Sequence, residues 1–149
     1  MGNVSIREAS ESDLSNVLRA YSEAGITGGV EFSPEEAREQ FQRFRLYPSF
    51  RLFVAEVDGG FAGSYALLIM DNLAKRGARA GVVEDVAVLP AFQGQGVGRA
   101  MMEHALAECR AAGCYKMTLS SGLPRAGAHR FYDSLGFERH GYSYLMRLG

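Results

Sequence analysis

The chain has 149 residues, 47% of them hydrophobic and 22% charged, and its 17 acidic and 16 basic residues nearly cancel to a net charge of −1. This length fits a single domain that buries most of the surface exposed by its unfolded form. No run of like charges is present, which argues against a nucleic-acid groove or an anionic membrane surface as the binding partner.

The first elements predicted along the chain are a strand and two helices. Residues 4–9 favour a strand, and the polar residues 10–13 can cap a helix that runs to about Ala24. A glycine-containing loop over 25–33 follows. Ser33 is then the predicted cap of a second helix, with proline at its first position and acidic residues in its first turn.

A hairpin is the next predicted feature. The second helix is expected to end near Leu46, and strands over 51–57 and 61–70 flank the turn 58–60, whose glycines tolerate positive φ. This hairpin forms the antiparallel half of a sheet. The polar and basic stretch 71–80 is a loop that either lines a substrate pocket or is a solvated connector.

A glycine-rich segment, 93–98, separates an apolar run from an amphipathic stretch. Residues 82–89 predict a buried strand, and residues 99–112 predict a helix with one apolar face. Glycines at such a junction leave backbone N–H groups uncovered at a helix N-terminus, where the macrodipole is positive. The segment is therefore a candidate anion site, with a tight turn that binds nothing as the alternative.

The common nucleotide-binding motifs do not fit this segment. A dinucleotide fingerprint starting at Gly94 needs a small residue where Arg99 stands, and one starting at Gly96 fails at Met101. A P-loop needs Gly-Lys followed by Ser or Thr, which does not occur in the sequence. The glycine-rich segment is thus neither of these nucleotide loops.

The remaining elements complete an alternating α/β order. A strand over 116–121 and a loop over 122–126 lead to a helix over about 128–135 with an apolar face. Two short strands are predicted over 137–148, divided at Gly141.

Three motifs resemble those of the GCN5-related N-acetyltransferase (GNAT) family. The pattern Gln-x-x-Gly-x-Gly in 93–98 resembles the family's coenzyme A pyrophosphate loop, and 84–88 resembles the splayed strand just before it. The pair Phe131-Tyr132, on a helix closed by Leu-Gly-Phe at 135–137, resembles the family's later helix. The motifs stand in the family's order and spacing, and the resemblance covers the second half of the chain well and the first half in outline.

The resemblance implies both a fold and an activity. The fold is α/β, a single domain over 1–149 with a central twisted mixed sheet of six to seven strands and helices on both faces. The activity is acetyl-CoA-dependent N-acetyl transfer, directly to the primary amine of a small molecule in a ternary complex. A non-catalytic acyl-CoA-binding or sensor module on the same fold, and a protein or peptide N-acetyltransferase, are the alternatives. A homodimer is a family-level expectation.

The resemblance also assigns catalytic roles. Tyr132 is the implied general acid, which protonates the leaving thiolate. Glu84 and Asp85 face opposite sides of an ideal strand, so at most one should point at the acceptor unless a bulge breaks the alternation. One of them, with a slight preference for Glu84, is the candidate base, acting through water; alternatively both only hold a cationic substrate. The Val86 N–H is the expected donor to the thioester carbonyl.

The coenzyme A contacts follow from the same resemblance. The backbone over 86–88 is expected to pair with the pantetheine arm, and N–H groups over 95–99 to bind the pyrophosphate, with the charge of Arg99 added. Arg125 stands where the family often has asparagine, and either contacts a phosphate or an anionic acceptor or reaches solvent. The predicted coenzyme A contacts are Val86, Ala87, Val88, Gln93, Gly94, Gln95, Gly96, Val97, Gly98, Arg99, Arg125, His129 and Phe131.

Different segments of the sequence resemble acetyltransferases with different acceptors. Segments 84–88, 93–98 and 113–116 look like glucosamine-6-phosphate N-acetyltransferases, whereas 120–121 and 128–132 look more like small bacterial amine acetyltransferases, including those for aminoalkylphosphonates. Both groups share a small amine that bears an anionic group. Arg125, together with Arg76 or Arg79, is the candidate partner of that anion.

Location and metal content are predicted from what the sequence lacks. The N-terminal residues have no apolar signal-peptide core, and no stretch approaches the roughly 20 apolar residues of a membrane span, so we expect a cytoplasmic protein. Cys109 and Cys114 and the dispersed histidines do not have metal-ligand spacing. We therefore expect no metal.

Overall fold

The computed structural model describes residues 2–27 and 29–149. Gly28, in the loop predicted over 25–33, lies outside the described residues. The chain forms two compact units, Met1–Thr118 and Leu119–Gly149.

The first unit is a mixed sheet with three α-helices. Its elements are β1 Val4–Glu8, α1 Leu14–Glu23, α2 Pro34–Phe44, β2 Phe50–Val57, β3 Gly60–Met70, β4 Arg79–Val88, α3 Val97–Ala111 and β5 Cys114–Thr118. The strands lie in the order β1-β2-β3-β4-β5. Strands β1 to β4 pair with one another in antiparallel fashion, and β4 pairs with β5 in parallel. The second unit contains α4, Ala126–Ser134.

The helices cover both faces of the sheet, as predicted. On one face, Leu14 and Val17 of α1 and Phe41 of α2 pack with Leu52 and Val54 of β2 in one apolar cluster. The other face is covered by α3, whose buried side chains recur at helical spacing. These are Val97, Met101, Met102, Ala105 and Cys109.

The strand count differs from the prediction. The described residues contain five strands, not six to seven, and residues 137–149 form no strand within the second unit. A strand needs a hydrogen-bonded neighbour, and a local pattern shows extended chain without showing its partner. Conversely, β4 begins at Arg79 rather than at 82, because the pairs Met70↔Ala80 and Ile69↔Gly81 extend its ladder with β3.

An ion pair between the buried Asp13 and the half-exposed Arg7 fixes the junction between β1 and α1. Asp13 is 7% exposed and accepts two hydrogen bonds of 2.8 Å from the Arg7 guanidinium and one of 2.8 Å from the Ser10 N–H. The Arg7 hydrogen bonds outweigh the effect of burial and lower the pKa of Asp13 to about 2. Asp13, at the end of the polar segment predicted to cap the first helix, therefore ties the first strand to that helix.

Local sequence signals account for the start of α2 and for the hairpin. At α2, the Glu36 N–H donates to Ser33 Oγ over 3.2 Å, and the Ser33 N–H donates to the Glu36 carboxylate over 3.0 Å, which is a capping box. Between β2 and β3, Asp58 and Gly59 have φ of 50° and 83°. Two successive positive φ values give a turn whose twist matches that of the strands.

Candidate functional site

The centre of the site in the first unit is a bulge in β4. Glu84 is opposite Ala66 and Ala87 is opposite Ser64, so the single residue Tyr65 faces both Asp85 and Val86. Asp85 has φ of 51°, the left-handed conformation expected of a bulged or turn residue. The bulge breaks the strand alternation, which is the exception that the sequence left open for Glu84 and Asp85.

The surroundings of the two acids favour their neutral forms. Burial raises the pKa of Asp85; burial and then the charge of Asp85 raise the pKa of Glu84. Both side chains still reach solvent. Tyr21 of α1 is close enough for the Asp85 charge, added to burial, to raise the pKa of its hydroxyl. The bulge therefore places two carboxylates of increased basicity on the face covered by α1.

The second half of β4, which contains the bulge, extends beyond its hydrogen-bonded ladder with β5. The parallel ladder ends with Val82 opposite Thr118, while β4 continues to Val88 along β3. The β5-facing edge of residues 83–88 thus offers backbone N–H and C=O groups to an extended, amide-containing ligand. This edge includes the segment 86–88 that the resemblance assigns to the pantetheine arm.

The glycine-rich loop leads directly into α3. Gly94 and Gly96 have φ of 77° and 82°, and a Cβ at either position would meet no described atom within 4 Å. Gly96 is the N-cap and has no side chain with which to satisfy the first-turn N–H groups. The side-chain amide of Gln93 donates to the carbonyl of Val88 at the end of β4 over 3.4 Å, and that of Gln95 donates to the carbonyl of Ala91 over 3.0 Å. The glutamines hold the loop in shape and leave the backbone donors open, so the loop fits a pyrophosphate.

Arg99, in the first turn of α3, has a weak partner. Its guanidinium is 3.9 Å from the Glu103 carboxylate, and the two side chains are 55% and 65% exposed. Exposed pairs of this kind contribute little and rearrange easily. The guanidinium is therefore available to an anion at the helix start.

In the second unit, α4 ends in the motif that carries Leu-Gly-Phe. The Phe137 N–H donates to the Tyr132 carbonyl and the Gly136 N–H to the Asp133 carbonyl, both over 3.1 Å, and Gly136 has φ of 90°. This pair of bonds with a left-handed glycine is a Schellman motif. It returns the Phe137 ring to 5.6 Å from the ring of Tyr132, edge to face, which fixes the tyrosine.

Three residues of the second unit predicted to contact coenzyme A, Arg125, His129 and Phe131, have different surroundings. Burial raises the pKa of Tyr132, and the charge of Arg125 partly opposes this. The phenol therefore stays protonated near neutral pH. A ring nitrogen of His129 is 2.8 Å from the Gly122 carbonyl, so this histidine holds the loop before α4. The ring of Phe131 lies 5.1 Å from that of Tyr132.

A cavity of about 500 Å³ adjoins α1 in the first unit. Its lining includes Arg19, Tyr21, Glu31 and Phe32, so it offers a cation, an anion and aromatic surface. Tyr21 links this cavity to Asp85, whose charge acts on its hydroxyl. A cavity of this volume is in the range of small-molecule sites.

The basic loop before β4 is not next to the acid pair. Arg79 begins β4 and its Nε lies 3.0 Å from Asp71 Oδ1, whereas Asp85 stands six residues later on the strand, roughly 20 Å away at strand rise. Arg79 is thus remote from the bulge.

In the described part of the chain there is neither a metal-ligand cluster nor a helix suited to cross a membrane. Residues 2–27 and 29–149 contain no group of three or more His, Cys, Asp or Glu side chains that could hold a metal ion. Among the helices that the structure describes, none has the length and apolar character needed to cross a membrane.

The sequence comparisons identify the family. The model described as the Acetyltransferase (GNAT) family matches residues 14–137, so the chain belongs to this family of acetyltransferases, and its named relatives make it an N-acetyltransferase enzyme. GNAT enzymes use acetyl-CoA as their cosubstrate.

Individual relatives refine this assignment. Glucosamine 6-phosphate N-acetyltransferase of Trypanosoma brucei brucei is 33% identical over 144 residues, which cover 93% of this chain and 91% of the relative. Aminoalkylphosphonate N-acetyltransferase of Salmonella typhimurium is 32% identical over 68 residues, 46% of this chain and 44% of the relative. A crystal structure of a Trypanosoma brucei acetyltransferase superposes with a TM-score of 0.83 and 28% identity, covering 98% of this chain and all of that one (100%).

Sequence reasoning missed part of the environment of the acid pair. Tyr21 lies on the apolar stripe of α1 with Leu14, Val17 and Leu18, so its spacing predicts only a core position. Its proximity to Asp85 depends on how α1 crosses the sheet. No signal in the local sequence would have revealed this contact.

Proposed function

We propose that the protein is an acetyl-CoA-dependent N-acetyltransferase that acts on the primary amine of a small molecule, with glucosamine 6-phosphate as the first acceptor to test. The observation that carries this proposal is one stretch of chain. A bulge with two carboxylates of raised pKa, a strand edge beyond the last pairing with β5, and a helix N-terminus capped by glycine follow one another from Glu84 to Gly98. The glucosamine 6-phosphate N-acetyltransferases among the relatives support an amino sugar phosphate as acceptor.

The donor is held by backbone groups in this proposal. The free edge over 83–88 pairs with the amides of the pantetheine arm, and first-turn N–H groups of α3 with Arg99 bind the pyrophosphate. The N–H of Val86, in the bulge, donates to the thioester oxygen as negative charge develops there.

Transfer is direct. Glu84 or Asp85 accepts a proton from the acceptor ammonium, because the amine must be neutral before it attacks, and a carboxylate of raised pKa suits this task. The amine nitrogen then attacks the thioester carbon, the C–N bond forms as the C–S bond breaks, and the Tyr132 hydroxyl protonates the departing thiolate. No covalent enzyme intermediate is needed.

The cavity beside α1 is the proposed acceptor site. Its wall includes Tyr21, whose hydroxyl is within the influence of the Asp85 charge, and Arg19 gives it a cation for an acceptor phosphate. Its volume of about 500 Å³ fits a small molecule rather than a protein segment.

The test is coenzyme A release measured with a panel of amines: glucosamine 6-phosphate, glucosamine, an aminoalkylphosphonate and a lysine peptide. Turnover should be greatest with glucosamine 6-phosphate. We expect Tyr132→Phe to lower kcat by about 100- to 10,000-fold, whereas Tyr142→Phe, in the same unit and 91% exposed, leaves it unchanged. Tight coenzyme A binding without turnover of any amine, in the wild type and both variants, would overturn the proposal.

A further inference from the structure

A hydrogen-bonded cluster lies on the face of the sheet covered by α3, away from the acid pair. Tyr65 is fully buried (0% exposed), and its hydroxyl is 2.7 Å from His104 Nδ1. His104 Nε2 is 3.7 Å from Glu108 Oε1, and Glu108 pairs with Arg51 of β2. The chain of contacts runs from the core to the surface.

The position of Tyr65 in the sheet is special. It is the single β3 residue that faces both bulged residues, Asp85 and Val86, of β4. The Tyr65 ring stacks on the ring of Phe53 in β2, with centroids 5.2 Å apart. The Phe53 ring also contacts the His104 ring edge to face, with centroids 4.8 Å apart. Any tilt of Tyr65 therefore moves the strand against which the bulge forms.

His104 stands on the helix that begins at the glycine-rich loop. It lies in the second turn of α3, which starts at Val97 directly after the N-cap Gly96. The Tyr65–His104 bond thus connects the helix that presents the donor loop to the strand opposite the acids. Apolar contacts alone would let these two elements slide, whereas a hydrogen bond between the buried Tyr65 and the partly buried His104 fixes direction as well as distance.

We propose that Tyr65 and His104 are positioning residues, which hold the β4 bulge in register with α3 so that the acid pair and the thioester bound beside it face each other. Neither residue touches the reacting atoms. The catalytic part of this inference rests on the proposed function, while its structural part, that the Tyr65–His104 bond shapes the bulge, does not.

The variants follow from the geometry. Tyr65→Phe removes only the hydroxyl, whereas His104→Leu removes the hydrogen-bonding ring nitrogens together with the ring's contacts to Phe53 and Glu108. His104→Asn places an amide oxygen close to the position of Nδ1 and restores an acceptor. Tyr115→Phe, which removes a tyrosine hydroxyl on the partly exposed β5, is the matched control.

For Tyr65→Phe and His104→Leu we expect kcat to fall about 10-fold, which is a misplacement cost of about 1.4 kcal/mol, with the Kd for acetyl-CoA changed less than about twofold. His104→Asn should recover most of kcat, and the double variant Tyr65→Phe/His104→Leu should be no slower than either single variant. A loss of acetyl-CoA affinity equal to the loss of kcat, or no rescue by His104→Asn, would overturn the catalytic part.

A readout independent of turnover separates this proposal from the proposed function. The ¹³Cα and ¹³Cβ chemical shifts of Asp85 report its backbone angle. They should move in Tyr65→Phe and His104→Leu, return in His104→Asn and stay unchanged in Tyr115→Phe. If the Asp85 chemical shifts stay unchanged in Tyr65→Phe and His104→Leu, the positioning proposal is overturned, whether or not any amine is acetylated. If these shifts move but the wild type acetylates no amine, the positioning proposal is supported and the proposed function is overturned.

Discussion

Glu84 and Asp85 show how a residue's chemistry depends on one backbone angle. In an ideal strand the two side chains point to opposite faces, and the alternation in sequence predicts only that. The positive φ of Asp85 inserts a bulge, which brings both carboxylates into one electrostatic neighbourhood. Aspartate gives no local sign of such an angle, so the sequence predicted the two candidates and not their arrangement.

Asp85→Asn should move the pH dependence of the reaction. A carboxylate acts as a base only when deprotonated, so kcat/KM falls as the pH drops through its pKa. Because the charge of Asp85 raises the pKa of Glu84, the acid limb of Asp85→Asn should lie at lower pH than that of the wild type if Glu84 is the base.

The control for this pH profile is Glu39→Gln, which changes an exposed carboxylate of α2 and should leave the profile unchanged. Turnover that is lost in Asp85→Asn and kept in Glu84→Gln would identify Asp85 as the base instead. An acid limb that does not move in Asp85→Asn, with turnover retained, contradicts the coupling.

At the scale of elements, the sequence predicted the order of helices and strands well because caps and turns have local causes. The capping box of α2 and the hairpin turn of β2 and β3 are examples. The start of β4 was predicted three residues late, because Arg79, Ala80 and Gly81 look like loop and become strand only through pairing with β3. Ladder pairing overrode local propensity there.

The two ends of α3 offer a matched test of the donor loop. Gly96 and Gly113 both have positive φ, 82° and 77°, and a Cβ at either would meet no described atom within 4 Å. Tryptophan should therefore destabilise the fold similarly at both positions. We expect Gly96→Trp to raise the Kd for coenzyme A about 100-fold or more, a loss of about 2.7 kcal/mol, and Gly113→Trp to leave it within about twofold, by calorimetric titration. Equal Kd values for coenzyme A in the two variants would contradict the proposal that this loop binds the pyrophosphate.

The Arg7–Asp13 pair should make the β1–α1 junction sensitive to acid. The pKa of Asp13 is lowered to about 2 from 3.8, so its stabilising effect is present above the unfolded pKa and is lost as the pH falls through the folded one. A difference of this size corresponds to about 2 kcal/mol. In urea unfolding at pH 7, the free energy of unfolding of Asp13→Asn should be lower than that of the wild type by about this amount, and the difference should disappear towards pH 2. A difference that does not depend on pH would contradict the ion-pair account.

At the scale of the whole molecule, the sequence predicts one domain while the described contacts form two units. The second unit, Leu119–Gly149, is shorter than the roughly 40 residues below which a chain seldom folds alone. The number of strands was overestimated because strand pairing over 137–148 is a non-local property, and the exposed apolar residues there do not show which strand would be their partner.

Calorimetry should show one unfolding transition for the full chain, because a unit so short has no core of its own to lose separately. Acetyl-CoA at about 100 times its Kd should add about 2.7 kcal/mol and raise Tm by roughly 5–10 °C for a chain of this size. A separate low-temperature transition that acetyl-CoA leaves in place would show that the second unit unfolds independently.

The left-handed Asp85 has a cost for the whole fold. A side chain with positive φ is strained by roughly 1 kcal/mol relative to glycine, which adopts that angle freely. Asp85→Gly should therefore yield a protein that resists heat better and, under the proposed function, lacks one of the two acids that would serve the acceptor. Selection for stability alone would favour glycine at this position, so under the proposed function the aspartate sets activity against thermal robustness.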